Sequence, residues 1–310
     1  MIATTFSTER KKKNMYEIVK KEQLAANIYM MDVKAPMVTH SCLPGQFVIA
    51  IAEEDGERIP LTICDYDRQK QTVTIVFQPI GASTERMAQL NEGDCFHDFV
   101  GPLGKPSELC LEDNLEETKK KHIVFISGGV GTAPVYPQVK WLHEHGIDAD
   151  VIQGSRSKDL LFFADKVKAV AGNHYICTDD GSYGFHGMGT NQLQALWDEG
   201  KRYDWCVAIG PMIMMKFVCK LTKELGIHTV VSMNPIMVDG TGMCGACRLI
   251  VDGKVKFACV DGPEFDGHLV DFDKAMARMQ QYKTEEGRKK LEFEEGETHH
   301  GGCGVCGGDK

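Results

Sequence analysis

The sequence lacks any long apolar run and any excess of basic residues. No stretch approaches the ~20 consecutive apolar residues of a membrane span, and residues 1–14 have no apolar core of a secretory signal. Its 35 Lys and Arg residues stand against 44 Asp and Glu, which gives a net charge of −9 and no basic surface for a phosphate backbone. We therefore expect a cytoplasmic protein with no membrane and no nucleic-acid partner.

What is present is typical of an ordinary globular protein. With 310 residues, 43% of them hydrophobic, the chain is long enough for two domains and a small module. Cysteines are concentrated near the end of the chain, which in a reducing cytosol favours metal or redox chemistry over disulfides. The last quarter contains five of the 12: Cys244, Cys247, Cys259, Cys303 and Cys306.

Hydrophobic patterning divides the chain. Residues 16–111 contain short alternating runs broken by turns, which predicts an antiparallel barrel. Over 112–228, apolar runs typical of buried strands alternate with segments of helical periodicity, which predicts an α/β domain with a parallel sheet. A compact module should follow at 229–270 and a helical or disordered tail at 271–310, with a flexible arm at 1–15.

The strongest motif is Asp239-x4-Cys244-x2-Cys247-x11-Cys259. Its glycine-rich loop can turn backbone N–H groups toward a negatively charged iron–sulfur core. An Asp-Gly hairpin turn at 252–253 should then carry the last cysteine back. A 2Fe-2S cluster is the favoured interpretation. A zinc site and inert thiols are the alternatives, although zinc knuckles usually offer two paired Cys-x2-Cys hooks.

Two segments of the first domain suggest a flavin site. Arg58 supplies a planar charged fork for a pyrophosphate, and the strand after it offers extended backbone and the Thr62 hydroxyl to a flat ring. Gly81, Ser83 and Thr84 precede a helix whose free N–H groups suit phosphate. The alternatives are a surface arginine before a buried strand and simple helix capping.

A glycine turn in the second domain suggests a nucleotide site. The sequence GGVGTAP (128–134) follows an apolar strand and opens a helix, where a pyrophosphate can approach closely. It is not the G-x-G-x-x-G fingerprint, and a plain strand-to-helix turn is the alternative. Arg156 follows the next strand and could favour NADP, while residues 178–182 and 210–212 end later strands on the same edge.

In this order, RIPLTI, GAST, GPLG, GGVGTAP, GSRS, TDDGS, GPM and the cysteine motif resemble the ferredoxin-NADP reductase superfamily, in its branch with a C-terminal 2Fe-2S module. The resemblance covers residues 16–270. The branch includes the electron-transfer subunit of type B dihydroorotate dehydrogenase, whose first cluster ligand is Cys, and the small subunit of NADH-dependent ferredoxin:NADP oxidoreductase, which has Asp there. Asp239 favours the second kind.

The resemblance implies a mixed β and α/β fold with an FAD-binding barrel, an NAD(P)-binding domain and a 2Fe-2S module that docks on a larger flavin/iron–sulfur subunit. It implies electron transfer between NAD(H), with NADP(H) as the alternative, FAD and the cluster, without a catalytic acid or base. Ferredoxin would take part indirectly, through electron bifurcation in the larger subunit. The implied cofactor-binding residues are Arg58, Pro60, Leu61, Thr62, Gly81, Ser83 and Thr84 for FAD, Gly129, Gly131, Thr132, Arg156, Asp180, Gly210 and Pro211 for the nucleotide, and Asp239, Cys244, Cys247 and Cys259 for the cluster.

Two rival functions stay open at this point. One is the dihydroorotate dehydrogenase subunit, and the other is a zinc-bearing interaction module with vestigial nucleotide sites. The tail at 299–306, HHGGCGVC, is either a disordered end or a metal site that a partner completes.

Overall fold

The computed structural model describes residues 16–298. The predicted arm at 1–15 and the tail motif at 299–306 lie outside the described residues. No helix within 16–298 is both long and apolar enough to cross a membrane.

The first part of the chain is the predicted antiparallel barrel. Six strands pair in the order β1-β2-β5-β4-β3-β6, and backbone hydrogen bonds close the barrel, with Ile18 N donating to Asp94 O at 2.8 Å and Phe96 N to Tyr16 O at 3.1 Å. The interior is apolar, and Met31, Ile75 and Phe99 are among its fully buried side chains. The elements are β1 Ile18–Ala25, β2 Ile28–Lys34, α1 Pro36–Ser41, β3 Phe47–Ile51, β4 Ile59–Asp67, β5 Thr72–Phe77, α2 Ala82–Gln89 and β6 Asp98–Leu103.

The second part is the predicted parallel sheet. Its strands lie in the order β10-β9-β8-β7-β11-β12-β15, and all are parallel except the edge strand β15. Helices cover both faces, so the central strands are apolar throughout: Val124 and Ile126 pack on one side and Phe125 on the other. The elements are α3 Leu115–Thr118, β7 Ile123–Gly128, α4 Thr132–Glu144, β8 Ala149–Ser155, α5 Ala164–Val170, β9 His174–Thr178, β10 Phe185–His186, α6 Gly189–Asp198, β11 Trp205–Ile209, α7 Met212–Leu225 and β12 His228–Ser232.

The third part is a small module that shares the sheet. β12 runs across the boundary predicted at residue 229, and β15 returns from the module to pair with β12. The predicted Asp-Gly hairpin is present: Asp252 and Gly253 have φ angles of 51° and 70°, as a two-residue turn of this kind requires. The elements are β13 Arg248–Val251, β14 Lys254–Phe257, α8 Ala258–Asp261, β15 Glu264–Asp266, α9 Phe272–Arg278 and α10 Lys283–Thr298.

Candidate cofactor sites

A cleft of about 1000 Å³ lies where the three parts meet. The carboxyl ends of the parallel strands open into it, which is where open α/β sheets bind ligands. The start of β4 forms the facing wall. The predicted residues that line it are Pro60, Leu61, Thr62, Thr84, Gly129, Gly131, Arg156, Gly210 and Pro211.

The glycine turn forms the nucleotide-domain wall. β7 ends at Gly128, a short 3₁₀ turn follows, and α4 begins at Thr132, with Ala133 and Pro134 of its first turn lining the cleft. A Cβ on Gly131 would lie 2.1 Å from the carbonyl oxygen of Ile209, so β11 leaves room only for glycine. The helix N-terminus stabilises negative charge and suits a pyrophosphate.

Two predicted residues of this wall are engaged elsewhere. The Thr132 side chain is buried, and its Oγ1 lies 3.1 Å from Ser127 Oγ, so it contacts the end of β7. The Asp180 carboxylate accepts hydrogen bonds from Ser182 Oγ at 2.6 Å and Ser182 N at 2.9 Å, which lower its pKa. Its neighbour Asp179, which the sequence analysis did not select, lines the cleft instead.

The predicted phosphate-binding helix start is held by its own side chains. Thr84 Oγ1 accepts hydrogen bonds from Ile80 N at 3.0 Å and Gly81 N at 3.1 Å, and it borders the cleft. Ser83 Oγ bonds to the Glu57 carboxylate. The walls of the cleft as described do not include Gly81 or Ser83.

Arg58 contacts the backbone of the cysteine motif. Its Nε donates to Val238 O at 2.7 Å and its Nη2 to Asp239 O at 3.1 Å. The guanidinium therefore joins the start of β4 to the first residue of the cysteine motif, 181 positions later in the chain.

Several lining residues carry little sequence signal. Phe217 on α7 is 53% exposed, and such an exposed aromatic on a helix was the only available indication. Gly189 and Thr190 begin α6 at the end of a glycine-rich segment, residues 181–189, which the sequence analysis did not select as a motif. The lining residues that sequence analysis missed include Phe77, Gln78, Met188, Gly189, Thr190, Met214, Phe217, Met233, Asn234 and Pro235.

The cysteine motif folds into one loop followed by the hairpin. Cys247 Sγ and Cys259 Sγ lie 3.3 Å apart and are buried, whereas Cys244 is exposed. Backbone N–H groups point at the sulfurs: Ala246 N lies 3.5 Å from Cys244 Sγ, and Cys259 N lies 3.5 Å from Cys247 Sγ. Within residues 16–298, no three Cys, His, Asp or Glu side chains converge on the position of one ion.

Glycines give the loop its course. Gly240, Gly242 and Gly245 have φ angles of 85°, 91° and 67°, a region that only glycine enters readily. A Cβ on Gly240 would lie 3.0 Å from Leu103 Cδ1 and 3.1 Å from Ile49 Cγ1, so the loop packs directly on the barrel.

Backbone donors make the loop favourable to anions. N–H groups of Ala246 and Asp239 lower the pKa of the Cys244 thiol. The Asp239 carboxylate accepts hydrogen bonds from Thr241 Oγ1 at 2.6 Å and Thr241 N at 2.8 Å, which lower its pKa. Burial raises the pKa of the Cys259 thiol, next to Cys247. Binding to ferric iron would overcome that penalty, and the backbone donors would stabilise the net negative charge of the cluster with its ligands, so the donor set fits an iron–sulfur cluster.

Comparisons with known proteins agree with this geometry. The iron–sulfur cluster binding domain of dihydroorotate dehydrogenase B matches residues 234–271. A "Dihydroorotate dehydrogenase B (NAD(+)), electron transfer subunit homolog" of Thermotoga maritima is 42% identical over 278 residues, 90% of this chain and 94% of that protein. This chain belongs to that family of electron-transfer subunits.

Two further relatives extend the family. An uncharacterized protein in the adh 3′ region of Clostridium beijerinckii is 63% identical over 96% of this chain and 100% of its own length. The NADH-dependent reduced ferredoxin-NADP oxidoreductase, solved in work on flavin-based electron bifurcation, has a chain 40% identical to this one, with a TM-score of 0.81 over 90% of this chain and 98% of that chain. The predicted reductase fold and the electron-transfer oxidoreductase class are confirmed at the level of the family.

Proposed function

We propose that this chain moves electrons between NAD(H), FAD and a 2Fe-2S cluster as the small subunit of an NADH-dependent ferredoxin:NADP oxidoreductase. The cluster would be held by Asp239, Cys244, Cys247 and Cys259. A larger flavin/iron–sulfur subunit would be the partner and ferredoxin an indirect one. NADP(H) is the alternative nucleotide at this site.

The observation that carries the proposal is the contact between the cluster loop and the flavin wall. The loop packs through Gly240 on β3 and β6, and Arg58 at the start of β4 holds its backbone. The strand that follows Arg58 lines the cleft that also receives the glycine turn. A two-electron donor and a flavin would thus share the cleft, and a one-electron carrier would lie against the same barrel.

The chain's own residues would bind and orient the cofactors. The positive end of the α4 dipole would face a pyrophosphate, and Gly131 allows β11 to lie against the turn. Pro60, Leu61 and Thr62 offer strand backbone and one hydroxyl to a flat ring. Flavin supplies the step between two-electron and one-electron chemistry when it is bound.

The decisive experiment is anaerobic spectroscopy of the purified chain. We expect flavin and iron–sulfur absorption, bleaching by NADH, and a paramagnetic 2Fe-2S signal after reduction. A colourless protein that contains zinc would support the interaction-module alternative and reject the proposal.

The dihydroorotate dehydrogenase subunit is the second candidate. The match of residues 234–271 to the cluster domain of that enzyme and the 42% identity to the Thermotoga homolog favour it. Asp239 at the first ligand position favours the ferredoxin enzyme. Isolation of the native complex, with mass identification of the larger subunit, distinguishes the two.

A further inference from the structure

Arg58 connects two sites that the sequence separates widely. Its two hydrogen bonds go to consecutive carbonyls, those of Val238 and Asp239, so the guanidinium fixes the two peptide units that flank the Asp239 Cα. Bonds from a charged donor are shorter and stronger than neutral ones, and two of them from one rigid fork fix orientation as well as distance. Lysine cannot reproduce this pattern.

The two peptide units that Arg58 holds lie on either side of the first predicted ligand, Asp239. Asp239 is followed by Gly240, whose positive φ turns the chain toward Cys244. The Asp239 carboxylate is oriented by Thr241 from within the loop, while its backbone is held from the barrel by Arg58.

Arg58 also stands beside the flavin wall. It directly precedes β4, whose first residues, Ile59 to Thr62, line the cleft. A guanidinium has five N–H donors, and the two carbonyl contacts use its Nε and Nη2 nitrogens.

We propose that Arg58 is a positioning residue for the cluster, which sets the placement of Asp239 from the flavin strand. This inference rests on the proposed function, because it requires a cluster in the loop. It assigns Arg58 a role toward iron in addition to the flavin-phosphate role predicted from sequence.

Arg58→Gln tests the proposal on the full-length protein. Loss of two charge-assisted hydrogen bonds should change the g values of the reduced cluster and speed iron release to a chelator about tenfold. Arg58→Lys should give g values and a rate of iron release between those of Arg58→Gln and wild type, since lysine keeps the charge without the planar fork. FAD content is measured in every preparation, and wild-type protein adjusted to the same FAD content is the reference.

Arg248→Gln is the matched control. Arg248 is exposed next to Cys247, and the only hydrogen bond of its side chain within residues 16–298 is a long one, from Nη1 to Gly245 O at 3.4 Å. Its replacement removes the same charge near the loop and should leave the g values and iron release unchanged. Circular dichroism confirms that each variant is folded.

The outcomes separate the inference from the proposed function. If Arg58→Gln loses FAD but matches the FAD-adjusted wild type in g values and iron release, Arg58 serves the flavin alone and the inference is wrong. An equal effect of Arg248→Gln would assign the change to charge and also overturn it. If wild-type protein shows no 2Fe-2S signal, the proposed function itself fails.

Discussion

The cluster loop and the cleft are built in opposite ways. The loop takes its ligands and most of its hydrogen-bond donors from residues 239–259, a segment whose course is set by three glycines with positive φ. The cleft takes its walls from the barrel, the parallel sheet and the module, with lining residues from Ile28 to Pro263. A substitution in the loop should therefore affect the cluster alone, whereas a substitution at a contact between domains should weaken the binding of the flavin and the nucleotide together.

The two regions meet at a few contacts. Gly240 packs on β3 and β6, and Arg58 holds the loop backbone. Behind the cleft, Gln138 on α4 accepts a hydrogen bond from Ser107 Oγ at 3.0 Å and donates one to Glu264 Oε1 at 2.6 Å. These Ser107–Gln138–Glu264 hydrogen bonds join the segment that follows β6 to the nucleotide domain and the module.

Removal of a buried thiolate should give the largest effect. Cys247→Ser breaks the pair that lies 3.3 Å apart, and we expect nearly complete loss of iron and sulfide with FAD retained. Iron, sulfide and flavin analysis of the same preparation checks this. Cys42→Ala, a buried cysteine in the barrel core, is the control and should keep the cluster. Equal loss of FAD in Cys247→Ser would contradict the local character of the loop.

The glycine turn gives the next largest effect, now in the cleft. Gly131→Ala places a Cβ against Ile209 O and should cost about 3 kcal/mol in the free energy of unfolding, with a higher KM for NADH. Gly129→Ala is the matched control: it has φ 55° and no atom within 4 Å of the new Cβ, so about 1 kcal/mol is expected. Urea unfolding measures both. Equal costs would show that close packing on β11 does not constrain the turn.

The sequence predicted the loop better than the cleft for a physical reason. The course of the loop depends on local features of the backbone, its glycines and the two-residue hairpin turn. Spacing along the chain therefore predicts where Cys244 and Cys247 lie. Apolar patterning likewise predicted both sheets. Burial on one face gives a strand alternating apolar residues, and burial on both faces gives it a continuous apolar run.

The cleft depends on how domains pack, which no local pattern encodes. Asp179 rather than Asp180 reaches the wall because Ser182 binds the Asp180 carboxylate. Arg58 engages a carbonyl pair 180 residues away, which a motif read along the chain does not reveal. Phe217 and Met233 enter the wall only through the packing of α7 and β12.

A smaller effect should come from the interdomain hydrogen-bond chain. Withdrawal from water raises the pKa of the Glu264 carboxyl above its unfolded value of about 4.3. The folded protein then binds more protons in that window, so this contribution to stability is complete below the unfolded pKa and is lost as pH rises through the folded one. Glu264→Gln keeps the acceptor for Gln138 but does not titrate. Its free energy of unfolding should therefore fall less steeply with rising pH than that of wild type.

Thermal unfolding of wild type and Glu264→Gln from pH 4 to 8 checks the sign. The melting temperature of Glu264→Gln minus that of wild type should increase as pH rises. Glu224→Gln, on the last turn of α7, is the surface control and should leave the wild-type pH dependence intact. A wild-type protein that gains stability relative to Glu264→Gln with rising pH would mean that the carboxyl is stabilised as the anion.

The smallest effect is expected at Arg156, at the nucleotide end of the cleft. Backbone bonds from Asp179 N to Ser155 O and from Asp180 N to Arg156 O hold the ends of β8 and β9 together, so a cation and a carboxylate line one wall. The Asp179 carboxylate disfavours a 2′-phosphate, and NADH presents Arg156 only with a neutral hydroxyl. Arg156→Ala should therefore change kcat/KM for NADH by less than about threefold and lower that for NADPH by about tenfold. Stopped-flow reduction with each nucleotide measures both, and a wild-type protein reduced faster by NADPH would reverse the assignment of NAD(H) to this site.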